Sequence, residues 1–137
     1  MSQTPRPPTV VTLVWDDELR FTAETDGSQL MLDSRSKAGP SPMQALAAAL
    51  AGCMAMDVVS ILVKGRHPLE GLRGVLTGMR ADDPPSRFTE MSLVLHVEGD
   101  VPSEAIERAI QLSKDKYCSV WHSLRQDISL TTSYKRE

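Results

Sequence analysis

The stretch that decides the fold is SPMQALAAALAGCMAMDVVSIL, residues 41–62. Ser41 is suited to cap a helix, Pro42 to its first position, and Gln44 to the capping-box position. Lys64 gives the last turn a basic residue and Gly65 marks the end of the helix, so a long helix over residues 41–64 is expected. Because apolar side chains surround this helix on almost every side, we expect it to be buried in protein.

The same helix comes near the length of a membrane span. Asp57 and Ser60 interrupt it, and alanine rather than leucine dominates its composition. A lone carboxylate at the bilayer centre costs about 2.5–3.5 kcal/mol on insertion scales. We therefore expect a central helix packed inside protein, and no membrane among the partners.

On the N-terminal side of the helix, alternating segments predict a β-meander. Its strands are expected over residues 9–15, 19–25 and 29–33, with turns at Asp16 with Asp17 and at Asp26 with Gly27. Strands over residues 69–79, 87–98 and 128–134 and helices over residues 100–116 and 118–124 are expected after it. One face of the second of these later strands should be buried: Met91, Leu93, Leu95 and Val97. The order β-β-β-α-β-β-α-α-β is that of an α+β protein.

Length and composition limit the class of protein. The 137 residues suggest one domain over residues 9–137, after a Pro-rich tail, residues 1–8, that is expected to be disordered. A net charge of −3 without a basic run argues against a nucleic-acid partner. Two cysteines are too few for a disulfide-stapled secreted module, and the first residues lack the pattern of a secretion signal. A cytoplasmic protein is the expectation.

The two cysteines are the candidates for chemistry. Cys53 lies inside the apolar helix, and Cys118 lies in the segment LSKDKYCSVWHSL, residues 112–124. A sulfenic acid on one thiol survives best when a second thiol traps it as a disulfide, so the pair suggests redox chemistry. The alternative is that both cysteines serve as small apolar core residues.

Residues 41–62 and 112–124 resemble, in this order, the two cysteine motifs of the OsmC/Ohr family of thiol-dependent hydroperoxide reductases. The similarity is greatest to its uncharacterised OsmC-like branch, and it covers nearly everything after residue 9. The resemblance implies an OsmC/Ohr-like α+β fold with antiparallel sheets around a long central helix. It also implies an intertwined homodimer with its active sites at the interface.

In characterised members of that family, the first cysteine attacks an organic hydroperoxide and the second resolves the sulfenic acid. The resemblance therefore assigns these two catalytic roles to Cys53 and Cys118. Family peroxidases also place a glutamate at the start of the central helix and pair it with an arginine. Met43 stands at the glutamate position here. Arg20 is the nearest candidate for the arginine, and Glu18 is the alternative occupant of that place.

Asp57 is the further catalytic candidate, because it lies four residues after Cys53 on the same helix face. Protonated, it could donate to the leaving hydroxide; the alternative is that it caps a neighbouring backbone group. Lys114 precedes Cys118 by one helical turn, where its charge would favour the thiolate, although plain solvation is the other interpretation. His122 follows Cys118 at a spacing that two zinc ligands could use. Since no further ligands are evident, neither a metal nor a cofactor is expected.

Two functions remain open. The first is a hydroperoxide reductase that acts on apolar organic peroxides, forms a Cys53–Cys118 disulfide and is reduced by a cellular dithiol. The second is a non-catalytic or weakly reactive protein that senses oxidants or binds a small apolar ligand in the dimer cleft. Retention of both thiols favours the first function, whereas Met43 favours the second.

Overall fold

The computed structural model describes residues 4–137, which form six strands, three α-helices and one π-helical turn. The elements are β1 (Thr12–Asp17), β2 (Arg20–Thr25), β3 (Ser28–Asp33), α1 (Pro42–Lys64), β4 (Gly71–Arg80), β5 (Phe88–Glu98), α2 (Ser103–Leu112), the π-helical turn Ser113–Tyr117, α3 (Ser119–His122) and β6 (Ser129–Arg136). This order confirms the predicted α+β class. The chain divides into two compact units, one up to Leu46 and one from Ala47 to Glu137.

The first unit contains the predicted meander, in which β1, β2 and β3 form one antiparallel sheet. The turn at Asp26 and Gly27 is confirmed, and both residues have the positive φ that a tight hairpin requires. The turn expected at Asp16 and Asp17 is wrong by two residues. Strand β1 continues through Asp17. The turn begins at Glu18, because the left-handed backbone conformation of this residue, with φ 51°, reverses the chain.

The predicted tail, residues 1–8, extends beyond the described part of the chain. Residues 1–3 lie outside the described residues, and residues 4–8 are exposed and contain neither helix nor strand. The tail and the single domain after it stay predictions.

The start of α1 follows the sequence signal closely. The Gln44 backbone N–H donates to Ser41 Oγ at 3.2 Å, and the Ser41 N–H donates to Gln44 Oε1 at 2.9 Å. This reciprocal pair is the predicted capping box, and it satisfies two backbone donors that the helix itself leaves free. The helix ends at Lys64 as expected, but the left-handed residue beyond it is Arg66, with φ 61°, rather than the glycine.

The second unit contains the sheet β4-β5-β6, and β5 is its central strand. The predicted inward face is confirmed, since the following side chains of β5 are buried: Met91, Leu93, Leu95 and Val97. Strand β6 runs parallel to β5, which corrects the expectation of purely antiparallel sheets. The reason is the connection, because two helices between β5 and β6 return the chain to the end of the sheet where β5 began.

Helix α1 is buried on one stripe only within this chain. The stripe recurs every four residues, at Leu50, Met54, Val58 and Leu62. By length and composition α1 could also span a membrane. Only 22% of the residues in its most apolar 18-residue stretch are buried within this chain. Met56 and Val63 are 73% and 59% exposed. The chain alone therefore leaves an apolar surface on α1 uncovered.

The helix expected over residues 100–116 is interrupted. Helix α2 ends at Leu112, and the next five residues form the π-helical turn. The turn is closed by the Cys118 N–H, which donates to the Ser113 carbonyl at 2.8 Å. The wider turn changes the chain direction, so Cys118 is extended (φ −73°, ψ 98°) and caps α3 instead of lying inside a helix.

Candidate functional site

The second unit brings together three of the four predicted catalytic residues. Cys53 Sγ, Cys118 Sγ and a carboxylate oxygen of Asp57 all lie within 4.8 Å of one another. Cys53 and Asp57 are one turn apart on α1, and Cys118 reaches them from the end of the π-helical turn. Both thiols are free. A disulfide needs the sulfur atoms at about 2.05 Å, so the observed separation requires only a small movement.

The two thiols differ in accessibility. Cys118 is completely buried, whereas Cys53 is half-buried. A reagent that enters from solvent therefore meets Cys53 first. A thiol with access to solvent is suited to attack, and one without access is suited to react with its neighbour.

Burial raises the pKa of the Cys118 thiol from 9.0 to about 11. The Trp121 backbone N–H donates to Cys118 Sγ at 3.3 Å and acts in the opposite direction, since it stabilises the thiolate. Hydrogen bonding and charge from Cys53, and then the charge of Asp57, raise the Cys118 pKa further. At neutral pH Cys118 is thus a protonated thiol.

This shift predicts a loss of stability at alkaline pH. The unfolded chain releases the Cys118 proton near pH 9, whereas the folded chain retains it until about pH 11. The unfolded state binds fewer protons between these values, so the free energy of unfolding should fall by up to about 3 kcal/mol as pH rises. Denaturant titrations of reduced wild type and Cys118→Ala across this range measure it. Parallel pH profiles for the two proteins would contradict the prediction.

The partner of Asp57 is a side chain that the sequence analysis missed. Ser113 is completely buried, and its Oγ donates to Asp57 Oδ2 at 2.7 Å. Asp57 thus contacts a hydroxyl group rather than the backbone group that was the alternative expectation. A signal was present, because Ser113 continues the buried spacing of Ile106 and Ile110 on α2 yet carries a polar atom.

The other polar residues near Cys118 have structural contacts. Lys114 Nζ donates to the Leu130 carbonyl of β6 at 2.9 Å, so this ammonium group is neither simply solvated nor directed at the thiols. His122 is exposed, and its Nε2 lies 3.0 Å from the Lys114 carbonyl. Among the described residues, His122 is not part of the cluster that contains Cys118.

Arg20, the fourth predicted site residue, lies on β2 in the first unit. Its Nη2 is 3.5 Å from Asp17 Oδ2. Glu18, the alternative occupant of that place, is 3.4 Å from Arg35. The role of either residue at the thiol site stays a prediction.

An open groove of about 530 Å³ borders Asp57 in the second unit. Its wall is partly apolar and carries two basic groups. The lining residues are Asp57, Ser60, Ile61, Lys64, Arg108, Leu112 and Tyr117. A small organic molecule could therefore reach the Asp57 side of the cluster through a groove of mixed polar and apolar character.

Comparison with known proteins gives consistent matches. A sequence model described as OsmC-like protein matches residues 34–133. Protein YhfA of Escherichia coli is 40% identical over 124 residues, which cover 88% of this chain and 92% of YhfA. A hypothetical protein from Aquifex aeolicus has a TM-score of 0.89 at 26% identity, covering 96% of this chain and 98% of its own.

A more distant solved structure carries a functional description. It is an organic hydroperoxide resistance protein, OsmC, from Legionella pneumophila, with a TM-score of 0.67 at 16% identity. The alignment covers 96% of this chain and 99% of that protein. At this identity the likeness is one of fold.

Proposed function

The chain belongs to the OsmC-like protein family, and we propose on this basis that it reduces organic hydroperoxides with its two thiols. One observation carries the proposal: an accessible Cys53 thiol lies beside the buried Cys118 thiol, with both sulfurs inside a 4.8 Å cluster. The fold shared with an organic hydroperoxide resistance protein from Legionella pneumophila supports it.

The first step uses Cys53 as the nucleophile. Its thiolate attacks the outer oxygen of the hydroperoxide, the O–O bond breaks, and the alkoxide leaves as the alcohol after it takes up a proton. Cys53 is then a sulfenic acid. The half-buried position of Cys53 supports this role, since the peroxide must reach the sulfur that it oxidises.

Asp57 is the proposed proton donor in that step. Its carboxyl group lies within 4.8 Å of the Cys53 sulfur, and the Ser113 hydroxyl fixes one of its oxygens at 2.7 Å. The carboxylate would take up the proton of the Cys53 thiol and then deliver it to the departing oxygen, which leaves Asp57 as it was before the step. A positioned acid of this kind typically accelerates a reaction by about 10²–10⁴-fold.

Cys118 is the proposed resolving residue. Its sulfur attacks the Cys53 sulfenic sulfur, a disulfide forms, and water leaves with the Cys118 thiol proton. Because Cys118 is protonated at neutral pH, it does not compete with Cys53 for the peroxide. A cellular dithiol would then reduce the disulfide and return both thiols.

The proposed substrates are small and apolar, because the groove beside Asp57 includes Ile61, Leu112 and Tyr117. Binding of an apolar ligand without chemistry is the second candidate function, which the same groove and Met43 favour. The two candidate functions differ in one respect: only the first oxidises the two thiols to a disulfide.

We further propose that the working form is a cytoplasmic homodimer. Two apolar surfaces support a second copy of the chain as partner. One is the uncovered face of α1, and the other is on β1, where Leu13, Val14 and Trp15 are exposed. Large apolar side chains exposed in such numbers on one helix and one strand favour burial against a partner. Burial of α1 in a dimer would also explain why this helix is so apolar, and no membrane is needed to cover it.

Oxidation of the reduced protein tests the proposed chemistry. One equivalent of cumene hydroperoxide should produce an intrachain Cys53–Cys118 disulfide, detected by peptide mapping under denaturing conditions. Stopped-flow oxidation should be faster with cumene hydroperoxide than with hydrogen peroxide, since Ile61, Leu112 and Tyr117 offer apolar contacts to the larger substrate. Thiols that react no faster than free cysteine would favour the ligand-binding function.

A further inference from the structure

The cluster around Cys53 also has the composition of a metal site. It supplies two cysteine sulfurs and one carboxylate oxygen, which are ligand types that Zn²⁺ binds in proteins. We propose that Cys53, Asp57 and Cys118 of the reduced protein bind a thiophilic divalent cation, with Zn²⁺ as the expected ion. This proposal rests on the geometry of the three side chains and does not depend on the peroxidase reaction.

The distances suit such an ion with little rearrangement. In a tetrahedral site with Zn–S bonds of about 2.3 Å, two sulfurs lie about 3.8 Å apart. A carboxylate oxygen at about 2.0 Å from zinc lies about 3.5 Å from each sulfur. The three ligand atoms here are already within 4.8 Å of one another. Side-chain movements of about 1 Å would close the site.

The charge of the cluster favours a cation. Two thiolates and a carboxylate in this partly buried place would repel one another, because little solvent screens them. A divalent ion offsets that repulsion and holds coordinating thiols in the deprotonated form. The donor set of two sulfurs and one carboxylate oxygen therefore favours a divalent cation at the centre of the cluster.

Ser113 provides the supporting contact that metal sites usually contain. Its hydroxyl donates to Asp57 Oδ2 at 2.7 Å and fixes the plane of the carboxylate. A cation would then bind a carboxylate group whose orientation this hydrogen bond restrains. Three protein ligands leave the fourth tetrahedral position to water, on the accessible side of Cys53.

Metal binding would slow oxidation of the same residues. Each thiol gives its proton to solvent when it coordinates the ion, and no electrons are transferred. Each bound sulfur then donates a lone pair to the metal, so both react more slowly with a peroxide and in disulfide formation. The consequence is an ion-dependent protection of the thiols.

Titration of the reduced, metal-free protein tests the proposal. Zn²⁺ is added in competition with a chromophoric chelator, and Cd²⁺ is added separately to follow the thiolate-to-metal absorption band. We expect one ion per chain, release of thiol protons, and at least a tenfold slower disulfide formation by diamide when Zn²⁺ is bound. Absence of saturable binding, or binding without thiolate absorption, would overturn the proposal.

Variants identify the ligands. Cys53→Ser and Cys118→Ser should each weaken Zn²⁺ binding by at least 10²-fold, Asp57→Asn by at least 10-fold and Ser113→Ala by about 10-fold. His122→Ala is the matched control and should bind as wild type does. If His122→Ala weakens binding as much as Cys118→Ser, the ion is bound by Cys118 together with His122, and the proposed cluster is wrong. A failure of metal binding leaves the proposed peroxidase reaction untouched, since diamide and peroxide assays need no metal.

Discussion

Cys53→Ser is expected to reduce peroxide consumption to the background rate, a loss of about 10³-fold or more. The serine hydroxyl cannot replace a thiolate nucleophile, and removal of a nucleophile eliminates the covalent path rather than slowing it. The measurement is cumene hydroperoxide consumption with dithiothreitol as reductant, at equal concentrations of folded wild type and variant. The volume change is small and Cys53 is only half-buried, so the variant should fold normally.

Cys118→Ser is the matched control for that experiment. It keeps the nucleophile and removes the resolving thiol, so each chain should consume one equivalent of peroxide and leave Cys53 as a sulfenic acid that dimedone traps. Mass spectrometry of the dimedone adduct identifies the residue. Equal turnover by wild type and Cys53→Ser would end the hydroperoxide reductase hypothesis.

Met56→Glu is expected to disrupt the proposed homodimer. Met56 is the most exposed of the large apolar side chains on α1, at 73%, so a glutamate there is readily solvated in a monomer. At a two-fold interface, by contrast, each dimer would bury two unpaired carboxylates, which is strongly unfavourable. The dimer dissociation constant should rise by at least about 10²-fold, measured by sedimentation equilibrium or light scattering over a range of concentrations.

Thr131→Glu adds the same charge at an exposed polar position of β6 and serves as the control. It should leave the association constant of the wild type unchanged. A wild-type chain that remains a folded monomer at micromolar concentration would refute the homodimer. So would Met56→Glu chains that associate as tightly as the wild type.

Local signals in the sequence were sufficient for most elements of the fold. The start of α1 could be predicted because Ser41, Pro42 and Gln44 form a cap from residues adjacent in the chain. The inward face of β5 followed from strict alternation of side chains. Two of the predictions failed for different reasons. The position of the first turn was wrong because no strong local signal marks Glu18. The direction of β6 was wrong because it depends on the path of the two helices that connect it to β5.

The candidate site was predictable in part. Cys53 and Asp57 are neighbours on one helix face, so their spacing alone placed them together. The match of Cys118 to a second family motif suggested the other thiol. Ser113 was missed: its spacing after Ile106 and Ile110 indicates burial, but no local signal identifies the carboxylate of α1 that it contacts.

The sequence by itself determined the α+β class, the long apolar helix and the identity of the two thiols, because each depends on spacing within a short segment. Only the tertiary structure decided how the thiols differ. The π-helical turn redirects the chain at Ser113, which brings Cys118 into the interior beside Cys53 and leaves Cys53 the more accessible of the two. The physical reason is that the difference between the two thiols depends on segments that are distant in sequence. The burial of Cys118, the charges beside it and the Ser113–Asp57 hydrogen bond arise only once the chain has folded.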